Sequence, residues 1–131
     1  MVIDTSALIA VLLADPSAQR VARAIADAPL RLLSAANLLE ASIVIERRNR
    51  DAGAQDLDML IYRTELEIVP VDYDLVEVAR RAWRRFGKTR HPAALNYGDC
   101  FAYALAKSRE LPLLFVGNDF AQTDIEPVPL T

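Results

Sequence analysis

A chain of 131 residues, 53% hydrophobic and 25% charged, has the length and composition of one globular domain over residues 1–131, able to bury roughly two-thirds of its unfolded surface without staples. Disordered and fibrous classes are excluded, the single Cys100 rules out an internal disulfide, and no apolar run is long enough to span a bilayer. A cytoplasmic protein is expected, and the net charge of −3 says nothing yet about whether its cations gather in one place.

Met1, Val2 and Ile3 are apolar without polar alternation, the pattern of a strand covered on both faces in a parallel sheet. Asp4 ends that run at the strand's carboxyl edge, where open α/β sheets bind ligands. Thr5 and Ser6 follow, and residues 7–14 read as a helix for which Asp4 or Thr5 is also a suitable N-cap. Asp15-Pro16-Ser17 predicts a turn, with Pro16 opening a helix striped by Val21, Ala24, Ile25 and Ala28. Pro29 ends it, and residues 30–33 predict a second short strand. Ser34 or Asn37 caps a third helix with Leu38, Leu39, Ile43 and Ile45 to bury and Arg47, Arg48 and Arg50 near its far end.

Gly53 breaks the pattern before a fourth helix over residues 55–65. Residues 67–71 are β-rich but contain Pro70, which places them at the sheet edge or over its rim. Asp72 or Asp74 caps a fifth helix striped by Leu75, Val78, Ala79, Ala82 and Phe86, and residues 87–95 form the one loop long enough to be a flap. A sixth helix starts at Tyr97 or Gly98 and reaches Glu110. An apolar strand over residues 113–116 and a tight turn, Gly117-Asn118-Asp119, follow it. Strands alternating with helices predict a three-layer α/β/α sandwich around a mainly parallel sheet.

Chain direction brings three further acids towards Asp4. Asp119 lies past a strand parallel to the first, Asp99 lies in the first turn of the sixth helix, and Glu40 in the early turns of the third. Each has a structural use as well: Asn96 with Asp99 and Asn37 with Glu40 spell capping boxes, and Asp119 suits a turn. Together the four are costly. At about 5 Å and an effective dielectric near 20, each like-charged pair costs ~3 kcal/mol, so the cluster takes up protons or a cation. Oxygen ligands without a His or Cys cluster select Mg²⁺ or Mn²⁺. The only histidine, His91, sits in the 87–95 loop rather than beside a nucleophile, and Cys100 reads as buried packing. Covalent catalysis lacks its partners and no phosphate-binding Gly-rich loop is present, which leaves metal-assisted activation of water.

An acidic site must still attract its substrate. Arg80, Arg81, Arg84, Arg85, Lys88 and Arg90 fall within eleven positions, the first five on one helix face, with Trp83 and Phe86 interleaved. Such a stretch suits either a phosphate-tracking surface or a solvated helix face.

The segments VIDTSAL (2–8), NLLEASIVIE (37–46), LNYGDCFAYALAK (95–107) and LLFVGNDFAQTDI (113–125) resemble the four acidic motifs of PIN-domain ribonucleases, in particular the VapC toxins of bacterial toxin-antitoxin pairs, across essentially the whole chain. The resemblance implies a PIN-like fold and RNA hydrolysis leaving a 5′-phosphate and a 3′-OH. It makes Asp4, Glu40, Asp99 and Asp119 the cluster that holds one or two Mg²⁺ or Mn²⁺ ions, supported by Thr5, Ser6 and Asn118. Asp124 is the rival for the fourth position. It further implies a homodimer, a structured RNA target such as tRNA or ribosomal RNA, and a VapB-like antitoxin covering the acidic pocket. Two other readings of the same acids are a receiver-type phosphoacceptor switch, which would want a lysine where Gly117-Asn118-Asp119 stands, and a PIN-like module that binds without cutting.

Overall fold

The computed structural model describes residues 1–131. Its elements are β1 (Val2–Ile3), α1 (Thr5–Leu12), α2 (Ala18–Asp27), β2 (Leu32–Ser34), α3 (Ala35–Arg63), β3 (Glu67–Val69), α4 (Tyr73–Phe86), α5 (Tyr97–Arg109) and β4 (Leu113–Leu114). The four strands are all parallel, in the order β3-β2-β1-β4. From β1 the chain crosses to β2 on one side, and it later returns to β4 on the other. The carboxyl end of β1 is therefore the point where strand order reverses, the place where such sheets open a crevice.

Strand residues sort by parity into two cores, as the pleat requires. Val2, Leu32, Val69 and Leu113 pack towards α4 and α5, whereas Met1, Ile3, Leu33 and Leu114 pack towards α1, α2 and α3. Helices on both faces of a parallel sheet are the expected three layers. Full burial of each such Leu or Ile side chain contributes about 1.5–3 kcal/mol, which offsets the small number of ladder hydrogen bonds in strands this short. β3 lies at the sheet edge, where Pro70 after it breaks no ladder.

Several elements depart from the sequence reading. α1 starts two residues early, with Asp4 as its N-cap, because the Asp4 side chain accepts the Ser6 N–H. The helices expected as third and fourth are two parts of α3, and the break falls at Arg50 (φ 51°, ψ −133°) rather than at Gly53. Gly53 serves a close approach instead: a Cβ there would lie 2.7 Å from the Ile45 carbonyl oxygen. Leu39 and Ile43, expected to be buried, are 62% and 48% exposed, so that only part of the apolar surface of α3 enters the core. Residues 87–95 do not hang free as a flap. Lys88 N–H donates to the Leu95 carbonyl and Leu95 N–H to the Phe86 carbonyl, closing the loop on itself. No helix is long and apolar enough to cross a membrane.

Candidate acidic active site

Asp4 leaves β1 at the crevice and starts α1, and its two oxygens have separate surroundings. Oδ2 accepts the Ser6 N–H at 3.0 Å and the Ser6 hydroxyl at 2.6 Å. Ser6 Oγ in turn accepts Val116 N–H at 3.0 Å, which ties the exit of β4 to the same corner. Asp4 Oδ1 is buried without a hydrogen-bond partner. An orphaned buried carboxylate oxygen is costly unless something outside the protein meets it.

Glu40 arrives from α3, whose N-cap is Ser34 rather than Asn37. Freed from capping, the fully buried Asn37 donates to Glu40 Oε1 at 3.3 Å and to the Gly98 carbonyl at 3.0 Å. Thr5 Oγ1 also donates to Glu40 Oε1. The Glu40 carboxylate lies directly against Gly98 in the first turn of α5, where any Cβ would overlap it. Asp99 follows, and here the expected capping box is present: Asn96 Oδ1 accepts Asp99 N–H at 2.9 Å and Asp99 Oδ2 accepts Asn96 N–H at 3.0 Å. Asp4 and Asp99 thus both cap the helices that carry them.

Asp4, Glu40, Asp99 and Asp119 line one cavity of about 350 Å³, together with Thr5, Ser6 and Asn96. Asp15, from the turn after α1, adds a fifth acid, and no Lys or Arg is among the lining residues. The electrostatic consequence is direct. Burial pushes the Asp4 carboxyl up to about 6, against the opposing Ser6 hydrogen bonds, and the charge of Glu40 adds to the rise. Asp99 is pushed up to about 7, by burial first and then by the charges of Asp4, Asp119 and Glu40, with the Asn96 N–H opposing. No three acid, His or Cys side chains already form a closed ligand set. The donor chemistry nevertheless fits a hard divalent cation: oxygen ligands only, excess negative charge, and one buried oxygen without a partner.

Residues 1–126 match the family model described as PIN domain. A Ribonuclease VapC of Mycolicibacterium smegmatis is 51% identical over 128 residues, covering 98% of this chain and 99% of its own length. The chain belongs to the PIN-domain family, among the VapC ribonucleases. Ribonuclease VapC30 of Mycobacterium tuberculosis is 48% identical over 130 residues, covering 99% of each chain. The crystal structure of Mycobacterium tuberculosis VapC20, a Sarcin-Ricin loop cleaving toxin, superposes with a TM-score of 0.79 at 20% identity, over 97% of each chain, which places the fold in the same class.

Within this PIN domain the rival fourth acids are set apart. Asp119 is exposed and lines the cavity, whereas Asp124 accepts from the Tyr103 hydroxyl at 2.6 Å and pairs with Lys107 at 3.1 Å and Arg85 at 3.2 Å, outside the cavity lining. Asn118, expected as a supporting group, is exposed and outside the lining as well. His91 accepts Ala93 N–H and packs its ring edge on Phe86, and Cys100 is buried, its thiol pushed up to about 11 by burial and the charge of Asp99.

The basic stretch is not one surface. Arg80, Arg84 and Lys88, spaced by four, line a second cavity. Arg85 turns to Asp124, Arg90 stacks on Trp83 at 4.2 Å, and Arg81 is exposed. The sequence signals Asn96 as the cap that holds Asp99, but not the contacts of Asn37 and Gly98 with Glu40 or the presence of Asp15 at the wall. An Asn three residues before an acid signals a cap at both 37 and 96, and only the true start of α3 at Ser34 separates the two cases.

Proposed function

We propose that this VapC-type ribonuclease hydrolyses RNA phosphodiester bonds at the acidic cavity with Mg²⁺ or Mn²⁺, Asp4 and Asp99 holding the ion and Glu40 and Asp119 reaching it directly or through water. The observation that carries this reading is the buried, unpartnered Oδ1 of Asp4 in a cavity of acids without a cation. A bound divalent ion supplies Lewis-acid polarisation of the phosphate and lowers the pKa of water at the site. The chain's own groups do the rest. Ser6 fixes Asp4 by its Oδ2 and leaves Oδ1 without a protein partner; Thr5, Asn37 and the bare Cα of Gly98 fix Glu40; the Asn96 capping box fixes Asp99. Such preorganisation removes the need to reorient carboxylates as charge develops on the phosphate.

The exposed Leu39, Ile43 and Met59 on α3 support a homodimer face, and the cation-free cavity supports neutralisation by a basic side chain of a VapB-like antitoxin, which would compete with the metal. The expected place of action is the cytoplasm, where structured RNA such as tRNA or ribosomal RNA is available. A receiver-type switch is disfavoured because Gly117-Asn118-Asp119 stands where that chemistry needs a lysine. Purified protein incubated with total RNA, with and without Mg²⁺ or Mn²⁺, tests the reading beside Asp4→Asn and Asp99→Asn. Cleavage that requires metal and both acids is expected; cleavage that survives chelation or either substitution overturns it.

A further inference from the structure

The acidic cavity has a neighbour of opposite character. Between α4 and α5 lies a cavity of about 550 Å³ lined mainly by apolar and aromatic groups, among them Trp83, Tyr97 and Phe101, with Arg80, Arg84 and Lys88 among its lining residues. Asn96 is among the lining residues of both cavities. Arg80 is paired with Glu77 at 2.7 Å, but Arg84 and Lys88 form no ion pair.

Trp83 is packed on its own helix end. Trp83 lies against the bare Cα of Gly87, where a Cβ would overlap its ring, and the Arg90 guanidinium sits 4.2 Å above the same ring. Tyr97 meets Phe101 edge to face at 4.9 Å. These rings are nevertheless accessible: Trp83 is 41% and Tyr97 81% exposed. Water-facing aromatics beside unpaired cations are the elements with which proteins seat single-stranded nucleic acid, the ring taking a base and the cation a phosphate.

Building on the ribonuclease reading, we propose that this cleft seats an unstacked nucleobase next to the phosphate being cut, stacked on Trp83 and Tyr97, with Arg84 and Lys88 on the adjoining phosphates. Two features select this occupant over an apolar peptide or a second copy of the chain. The unpaired cations complement a polyanion, and Asn96, on the wall of both cavities, gives a strand whose scissile phosphate enters the acidic cavity a path towards the cleft. Its residues then contribute to which nucleotide is accepted beside the cut, because the floor is apolar and reads a base by shape and stacking rather than by hydrogen bonds.

Trp83 is the only tryptophan, so its emission reports on this cleft alone. The test titrates metal-free protein in chelator, where the metal-dependent reading expects no cleavage, with the four homopolymeric ribohexanucleotides and with an abasic ribose-phosphate hexamer. Saturable quenching by at least one base-bearing hexamer is expected, with affinity on the order of five- to a hundredfold above the abasic chain, the range that stacking supplies per base. Tyr97→Ala should remove most of that difference, and Tyr62→Ala, an equally exposed tyrosine on α3, should leave it unchanged. Equal response to base-bearing and abasic chains, or no response, overturns the proposal. So does an emission change that follows protein concentration without RNA, which would assign the cleft to a second copy. Metal-dependent cleavage is measured separately. Loss of base discrimination with cleavage intact defeats the cleft alone, and base discrimination without cleavage defeats the nuclease reading alone.

Discussion

Two carboxylate sites lie along α5 in opposite surroundings. Near its first turn, Asp99 and Asp4 share a cavity with three other acids and no cation, and both carboxyls are raised. Further along, Asp124 is met by the Tyr103 hydroxyl, Lys107 and Arg85. Burial alone would raise Asp124, but these partners together hold it below the usual carboxylate range. At Asp124 the chain supplies the countercharge. Where countercharge is withheld, the acid is available to something that arrives from outside.

The largest expected effect separates these sites by activity. Asp4→Asn and Asp99→Asn should each slow RNA cleavage on the order of 10²–10³-fold or more, as expected for removing a group that stabilises developing charge. Asp124→Asn should stay within about twofold of the parent. Both cavity substitutions keep a capping oxygen, so circular dichroism should report an intact fold. A dead Asp124→Asn beside an active Asp119→Asn would invert the comparison.

Stability against pH should separate them next. Asp4 and Asp99 titrate near 6 and 7 in the folded state but near 3.9 when unfolded, so the native protein binds more protons through this window and stability falls as pH rises from about 4 to 7. Asp4 alone accounts for on the order of 2–3 kcal/mol of that decline. Asp124 has the opposite sign: its contribution is present above about pH 4 and is lost as pH falls through its lowered value. Urea unfolding of metal-free protein should show this decline, and Mn²⁺ should flatten it. A metal-free protein that grows more stable from pH 5 to 8 would contradict the uncompensated cavity.

A smaller effect tests positioning. Gly98→Ala forces Glu40 from its seat against α5 and should cost roughly tenfold in cleavage, with stability changed by less than ~1 kcal/mol because Ala favours a helix. Loss of stability with full activity would make Gly98 a packing residue only. The smallest effect belongs to the compensated site. Asp124→Asn should destabilise by about 0.5–1 kcal/mol, since its ion pairs are partly exposed, and the loss should shrink at high salt.

The layered fold was legible because its signals are local and mutually consistent: an apolar β1 ended by Asp4, helices with clear stripes, and Pro70 at an edge strand. The convergence of Asp4, Glu40, Asp99 and Asp119 on one cavity followed from strand direction, from the early helix positions of Glu40 and Asp99, and from the motif resemblance. Other features depended on contacts that no spacing encodes. Gly53 was the obvious breaker, yet the turn is made at Arg50 and Gly53 is needed for its approach to Ile45. Arg85 shares a helix face with Arg84 in the sequence but is drawn to Asp124, 39 positions later. Leu39 and Ile43 read as core by composition and stay exposed because the face of α3 that meets the sheet is set by Ala41 and Ile45.

A straight α3 of 29 residues would be a rod of about 43 Å, longer than a domain of this size is wide. The positive φ at Arg50 bends that rod until residue 53 touches residue 45, and the chain re-enters the molecule in time to lay β3 beside β2. One residue in an unfavourable backbone conformation thus decides whether the outermost strand of the sheet is supplied by its own chain. Were that corner to open, the edge of β2 would be left bare, free to accept the same strand from a neighbouring molecule.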